Sequence, residues 1–292
     1  MPTPEPIHSK TDARSRRTKE RLVVIGPGQA DRHYWRDLWS SRELLAILAW
    51  RDFAVRYKQT ALGVAWAVVR PLLTVVVLTL VFSRIAKLQS DGHSPYILMV
   101  CAGMLPWFLV STIIGEASNG LVNNAELIGK VYFPRLIIPS ASLFVSLVDF
   151  VVSSLFFVAI SIWFQFWPDW RILYLPFFVI MALLTALGPA LFLAALNVKY
   201  RDFRSIIPFL LQFALYISPV GFSSAVVPEQ WRLLYSLNPV VGVIDGFRWC
   251  LLRGEASLYL PGFTINLCTI GLFLIGGLVF FRRSERNFAD VL

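Results

Sequence analysis

The densest group of residues that could do chemistry lies in residues 51–71, RDFAVRYKQTALGVAWAVVRP. Arg51, Arg56 and Lys58 lead into an apolar stretch, and Arg70-Pro71 falls inside it. Cations at a lipid boundary suit phosphate oxygens. The remaining ionisable groups in apolar surroundings are Asp149, in the middle of a run, and Glu116, at the end of one. Asp149 is either hydrogen-bonded within a helix bundle or turned toward a substrate. No GxxxxGKS or GxxxxGKT occurs, nor HExxH, nor GxSxG. Gly26-Pro27-Gly28 is a turn, and three histidines (His8, His33, His93) make no convincing metal site. A proton-coupled carrier would carry a richer relay of ionisable groups. The chain is expected to move or hold something, with energy supplied by another subunit.

The composition sets the surroundings of these residues. Of 292 residues 57% are hydrophobic and 15% charged, against about 25% charged in a soluble domain. Several apolar runs exceed the roughly 18 residues that mark a membrane-spanning helix. The ten Trp and nine Tyr suit a protein with two water–lipid boundaries. A net charge of +9 fits basic segments held on one side of a membrane rather than a nucleic-acid partner. Cys101, Cys250 and Cys268 stand in apolar runs without a CxxC, as small packed hydrophobes.

The chain divides into three parts. Residues 1–28 are polar and basic, lack the apolar core of a secretory signal, and read as a disordered cytoplasmic tail. The region 29–60 reads as an amphipathic interface helix. In it Trp35, Leu38, Trp39, Leu45 and Leu48 share one face, and Arg32, Arg36, Ser40 and Glu43 the other. Residues 61–292 form an all-α membrane domain with six transmembrane helices, near 64–86, 95–115, 136–164, 172–197, 205–225 and 258–281.

Orientation follows from the distribution of basic residues. Of the 27 Lys and Arg, 21 fall on one set of alternating segments and 6 on the other, which places both termini in the cytoplasm. Segment 228–255 decides this parity. Its apolar stretch near 240–252 is interrupted by Asp245 and Arg248 and is too short to cross. It reads as two short re-entrant helices broken at Asn238-Pro239, between spans 5 and 6, at the outer mouth.

Four ordered motifs carry a family resemblance. They are R-D-F-x-x-R-Y-K-Q-T-x-L-G-x-x-W-x-x-x-x-P from Arg51, Glu126-Leu-Ile-x-Lys130-Val-Tyr-Phe-Pro-Arg135, Asn197-Val-x-Tyr-Arg-Asp202 and Ser218-Pro-Val. Together they resemble type 2 ABC exporter permeases of the polysaccharide branch, which exports O-antigen, teichoic acid and capsule. The resemblance spans residues 31–292. It implies a homodimer of six-span subunits in the bacterial cytoplasmic (inner) membrane, two copies of a separate ABC ATPase subunit, and a lipid-linked polysaccharide substrate. It implies no cofactor on this chain, ATP and Mg being bound by the partner subunit, and no enzymatic activity of the chain itself.

The resemblance also implies site roles. The stretch Glu126, Leu127, Ile128, Lys130, Tyr132, Phe133 and Arg135 looks like the coupling helix that docks on the ATPase, with an exposed Tyr132-Phe133 pair as anchor. Arg201 and Asp202 form a second contact. Arg51, Arg56, Lys58 and Arg70 either anchor the chain to membrane lipids or offer cations to the substrate's pyrophosphate at its entry. Trp66, Gln212, Phe213 and Tyr216 either line a glycan channel, where rings let a sugar chain slide, or belong to a core or lipid-facing belt. Two other functions compete. A type 2 permease for a drug or small lipid usually lacks the RDFxxRYKQTxLGxxW start. An integral membrane glycosyltransferase or acyltransferase would need paired carboxylates or a His/Asp pair at a loop end, and neither occurs.

Overall fold

A computed structural model describes residues 34–58, 63–90, 92–131, 133–286 and 288, with the side chains of residues 58, 63–68 and 70 left out of the description. The segment 1–28 lies outside the described residues. Every described element is helical. In a lipid core a chain must satisfy its own backbone polar groups, and a helix does so within one segment.

Helices α1 (Tyr34–Ser40) and α2 (Arg42–Lys58) precede α3 (Gly63–Thr79). A π-helical turn, Leu80–Ile85, continues α3. Then follow α4 (Tyr96–Asn123), the short α5 (Ala125–Lys130) and α6 (Ile137–Trp163). A 3-10 turn at Trp170–Tyr174 opens α7 (Leu175–Lys199), and α8 is Phe203–Ile217. The last three are α9 (Glu229–Tyr235), α10 (Pro239–Leu251) and α11 (Leu260–Glu285).

Among the described residues, four helices are long and apolar enough to cross a membrane: α4, α6, α11, and α7 with its opening 3-10 turn. Helix α8 is apolar but shorter. At 15 residues it is about 22 Å long, against a hydrocarbon core of about 30 Å. It ends eight residues before the fifth expected span does, because the Ser218-Pro219 step turns the backbone extended.

Helices α4 and α7 form the centre, with α6, α10 and α11 packed around them. Helix α4 is apolar on every side and is buried over most of residues 98–117. Helix α10 is also buried along nearly its whole length. By contrast α6 and α11 leave broad apolar faces open, as lipid-facing helices do. Where α7 crosses α11 the backbones nearly touch. A Cβ added to Gly188 would lie 2.5 Å from the Phe273 backbone, and one added to Gly277 would lie 2.1 Å from the Gly188 carbonyl. Small residues permit this approach where helices meet without a hydrophobic drive in lipid.

The apolar face expected of the first helices divides in the structure. Ser41 lies between α1 and α2, its amide donating to the Asp37 carbonyl at 3.0 Å and its carbonyl accepting from the Leu45 amide at 3.1 Å, so helical bonding continues through it. Leu48 is buried and Leu38 and Leu45 pack on the core, while Trp35 and Trp39 stay 61% and 74% exposed. At 100° per residue the leucines centre roughly 110° round from the tryptophans, so the leucines meet protein and the tryptophans face outward. Cys101 and Cys250 are buried as expected, but Cys268 is exposed on α11.

The segment after α8 forms two short helices, broken at Asn238-Pro239 as the sequence expects. Asn238 caps α10, its Oδ1 accepting from the Val240 amide at 3.1 Å, and Pro239 is the first helical residue.

Candidate functional site

At one end of the bundle, α2, α5 and the 200–202 turn carry most of the charged candidates. Asn197, near the end of α7, ties that end to α4. Its Nδ2 donates to the Ser118 carbonyl at 2.9 Å and to Asn119 Oδ1 at 3.0 Å, both on α4. The chain leaves α4 for α5 five residues later, and leaves α7 for the Tyr200-Arg201-Asp202 turn three residues later. The two candidate docking segments therefore leave neighbouring helix ends.

Within the first segment the side chains divide by direction. Glu126 and Lys130 project outward, their side chains 92% and 76% exposed, with Lys130 Nζ 3.5 Å from Glu126 Oε2 one turn apart. Val131 is also exposed and Leu127 is half-buried. Ile128 and Phe133 instead belong to a buried cluster with residues of α4, α6, α7 and α11. The expected exposed Tyr132-Phe133 anchor is thus corrected for Phe133, which is buried. Tyr132 lies outside the described residues. Arg135 also turns inward. Its guanidinium donates to the Glu285 carbonyl, and its amide donates to Glu285 Oε1 at 2.9 Å. Tyr34 Oη donates to the same Oε1 at 3.3 Å, and Arg282 lies over the Tyr34 ring. Burial pushes the Tyr34 phenol well above its usual range, so it stays a neutral donor. Arg201 and Asp202 are exposed, as are Lys199 and Tyr200.

Two basic residues of α2, Arg51 and Arg56, find protein partners. Arg51 donates from Nη2 to Asn124 Oδ1 at 2.6 Å and is paired with Asp52 at 2.7 Å. Arg56 spans two helices, Nη1 meeting Asp149 Oδ2 on α6 and Nη2 meeting Glu116 Oε1 on α4. Tyr57 donates its hydroxyl to the other Asp149 oxygen. Burial first, then the Asp149 carboxylate, raise the Tyr57 pKa well above the phenol range. Asp149 is thus hydrogen-bonded within the bundle, one of the two environments the sequence left open. Lys58, Trp66 and Arg70 lie on α2 and α3, with side chains outside the described residues.

The aromatic candidates on α8 face outward. Gln212, Phe213 and Tyr216 are exposed, and Phe213 stacks on Phe209, ring centroids 6.3 Å apart and 15° from parallel. Phe209 is two-thirds exposed and was not singled out from the sequence, although its four-residue step to Phe213 puts both on one helix face. Helix α8 buries only Ile207 fully, and rests on the core through Leu211, Ala214 and Leu215.

At the opposite end, the 218–223 turn after α8 is fastened by side chains. Arg248, fully buried, donates to the carbonyls of Val220 and Phe222 at 2.8 Å each and to that of Met99 at 3.3 Å. Tyr96 Oη donates to the Gly221 carbonyl at 2.5 Å, and Asn238 Nδ2 to Ser218 Oγ at 3.1 Å. In sequence Arg248 only interrupts an apolar run. Its role was missed because carbonyl acceptors leave no residue-type signal.

Comparison with known proteins extends this description. The model of the family described as "ABC-2 type transporter" matches residues 43–252, from the start of α2 to the end of α10. The O-antigen export system permease protein RfbA of Myxococcus xanthus is 28% identical over 215 residues, covering 73% of this chain and 82% of the relative. A Klebsiella pneumoniae protein of the same name is 23% identical over 257 residues, 86% of this chain and 95% of its own length. The polysialic acid transport protein KpsM of Escherichia coli is 24% identical over 242 residues, 77% and 89% of the two chains. With seven-tenths of its length matched by one family model, in the segments that build the α2–α10 scaffold, the chain belongs to the ABC-2 type transporter family.

Proposed function

We propose that this chain is the membrane-spanning permease subunit of an ATP-driven exporter that moves lipid-linked, O-antigen-like polysaccharide across the cytoplasmic membrane. The observation that carries the proposal is that relatives named for O-antigen export and polysialic acid transport align over 82–95% of their own length. ATP and Mg belong to a separate ATPase, present in two copies on a homodimer of this chain.

The six-span reading counts α3 with its π turn, 23 residues in all, and α8 beside the four long helices. Helices α9 and α10 then re-enter from the outer side, and both termini lie in the cytoplasm. Under this orientation α5 and the 200–202 turn face the ATPase. The exposed Glu126, Lys130, Val131, Arg201 and Asp202 make the contact, while Ile128, Phe133 and Arg135 fix α5 from beneath. The Phe209, Phe213 and Tyr216 rings on α8 offer faces on which sugar C–H surfaces stack while the chain slides. Arg70 is left to anchor α3 at the headgroups or to meet the substrate's pyrophosphate.

The test is co-purification with the ATPase encoded beside it, joined to glycan analysis of a deletion strain. Lipid-linked glycan accumulating on the cytoplasmic side, restored to the surface by the plasmid-borne gene, is the expected result. A deletion strain with normal surface glycan and no internal accumulation would overturn the proposal.

A further inference from the structure

Helix α2 is fastened to two other helices at two heights, and both fasteners are charged. Arg51 and Arg56 are five residues apart on α2, about 7.5 Å along its axis. Their acceptors are Glu116 on α4 and Asn124 just past its end, eight residues apart, about 12 Å along that axis. Both arginines reach the α4 segment by side chain, while the body of α2 packs on α6. Arg56 then adds a third point on α6, at Asp149, where Tyr57 also donates. Asp149 stands twelve residues into α6, about 18 Å from its start, so this attachment is deep in the helix and not at its frayed end. A planar guanidinium can serve carboxylates on two different helices at once, and an ammonium serves such a fork poorly.

Asn124 is also the link between α4 and α5. It ends α4 and precedes Ala125, and its Nδ2 donates back to the Gly120 carbonyl at 2.8 Å. Arg51 therefore grips the residue that joins α5 to α4.

We propose that Arg56 is a positioning residue that locks α2 to α4 and α6 so that the three move as one rigid lever, to which Arg51–Asn124 attaches α5. A displacement of α5 then reaches α6 through α2 as well as through α4. This rests on the permease reading above, in which α5 meets the ATPase.

The experiment uses the complex of this chain with its ATPase, reconstituted in nanodiscs for ATP hydrolysis and expressed in the deletion strain for export. Cys101, Cys250 and Cys268 are replaced by Ala, and Arg56→Cys/Asp149→Cys is introduced. A reducible bis-methanethiosulfonate linker, long enough to span the two lost side chains, bridges α2 to α6. The unbridged variant is expected to co-purify with the ATPase but to lose about tenfold of export and of stimulated hydrolysis. Bridging restores hydrolysis to within about twofold of wild type, and reduction abolishes the gain. A merely structural role would change the yield of complex and not this reversible response.

A second variant avoids the linker. Arg56→Glu/Asp149→Arg keeps one cation between two carboxylates and is expected to recover the export that Arg56→Glu loses. Three outcomes overturn the lock: wild-type activity in the unbridged variant, inhibition by the bridge, or no recovery from either the bridge or the charge exchange. Wild-type complex is carried through every step. If it neither binds the ATPase nor exports glycan, the permease reading has failed, and not the lock.

Discussion

Arg248 on α10 and Val220 in the turn after α8 are joined by a 2.8 Å hydrogen bond, with the guanidinium wholly buried. The same group also holds the Phe222 and Met99 carbonyls. One side chain thus closes the turn after α8 against α4 and α10. Truncation would leave three carbonyls without this donor in a place water reaches poorly.

Arg248→Met is therefore expected to lower stability by about 2–4 kcal/mol. Arg248→Lys should lose less, because an ammonium keeps the charge but not the fork. Thermal unfolding of the purified protein in one fixed detergent measures both. Equal melting of wild type and Arg248→Met would show that the bonds do not hold the turn.

Close helix approach gives a sharper contrast. Gly188→Ala places a Cβ 2.5 Å from the Phe273 backbone, which a flexible side chain could accommodate and a helix backbone cannot. A loss of about 1–3 kcal/mol is expected. Gly271→Ala and Gly276→Ala, where an added Cβ meets nothing within 4 Å, should be neutral or stabilising by up to about 1 kcal/mol. The same unfolding assay ranks the three. A Gly188→Ala protein as stable as Gly276→Ala would refute the packing argument.

Sequence and structure part company where partners are distant along the chain. The helix after each apolar run, the break at Asn238-Pro239 and the isolated mid-run Asp149 are all legible locally, because hydropathy, proline chemistry and burial leave marks on residue types. That Asp149 meets Arg56 is not legible, since 93 residues separate them and no spacing rule links them. Phe133 was expected outside because its stretch resembles a coupling helix that docks on a partner. It is inside because it belongs to a buried cluster with residues of α4, α6, α7 and α11. The π turn at Leu80–Ile85 likewise has no signature in the apolar string that forms it.

That division of side chains at α5 makes a prediction. Glu126→Lys with Val131→Asp, both at exposed positions, should weaken ATPase binding by about 2 kcal/mol or more while leaving yield unchanged. Ile128→Ala or Phe133→Ala should instead cost folded protein about 2–4 kcal/mol of stability. Co-purification and thermal unfolding, read on the same samples, separate the two effects. A surface pair that still recruits the ATPase normally would move the contact elsewhere.

The α8 rings carry a prediction about rate. Phe209→Ala/Phe213→Ala/Tyr216→Ala removes exposed faces and no buried packing, so the complex should assemble normally while export slows. Pulse-labelled surface glycan, per unit of inserted chain, reports this. Unchanged export would assign the ladder to lipid.

Transport itself can be measured in proteoliposomes that hold this chain, its ATPase and lipid-linked glycan extracted from the deletion strain. Glycan reaching the opposite leaflet is counted with a membrane-impermeant lectin or glycosidase. Transfer is expected to need ATP, Mg and both subunits. Transfer at the same rate without ATP, or none with the full complex while it hydrolyses ATP, would contradict ATP-driven export.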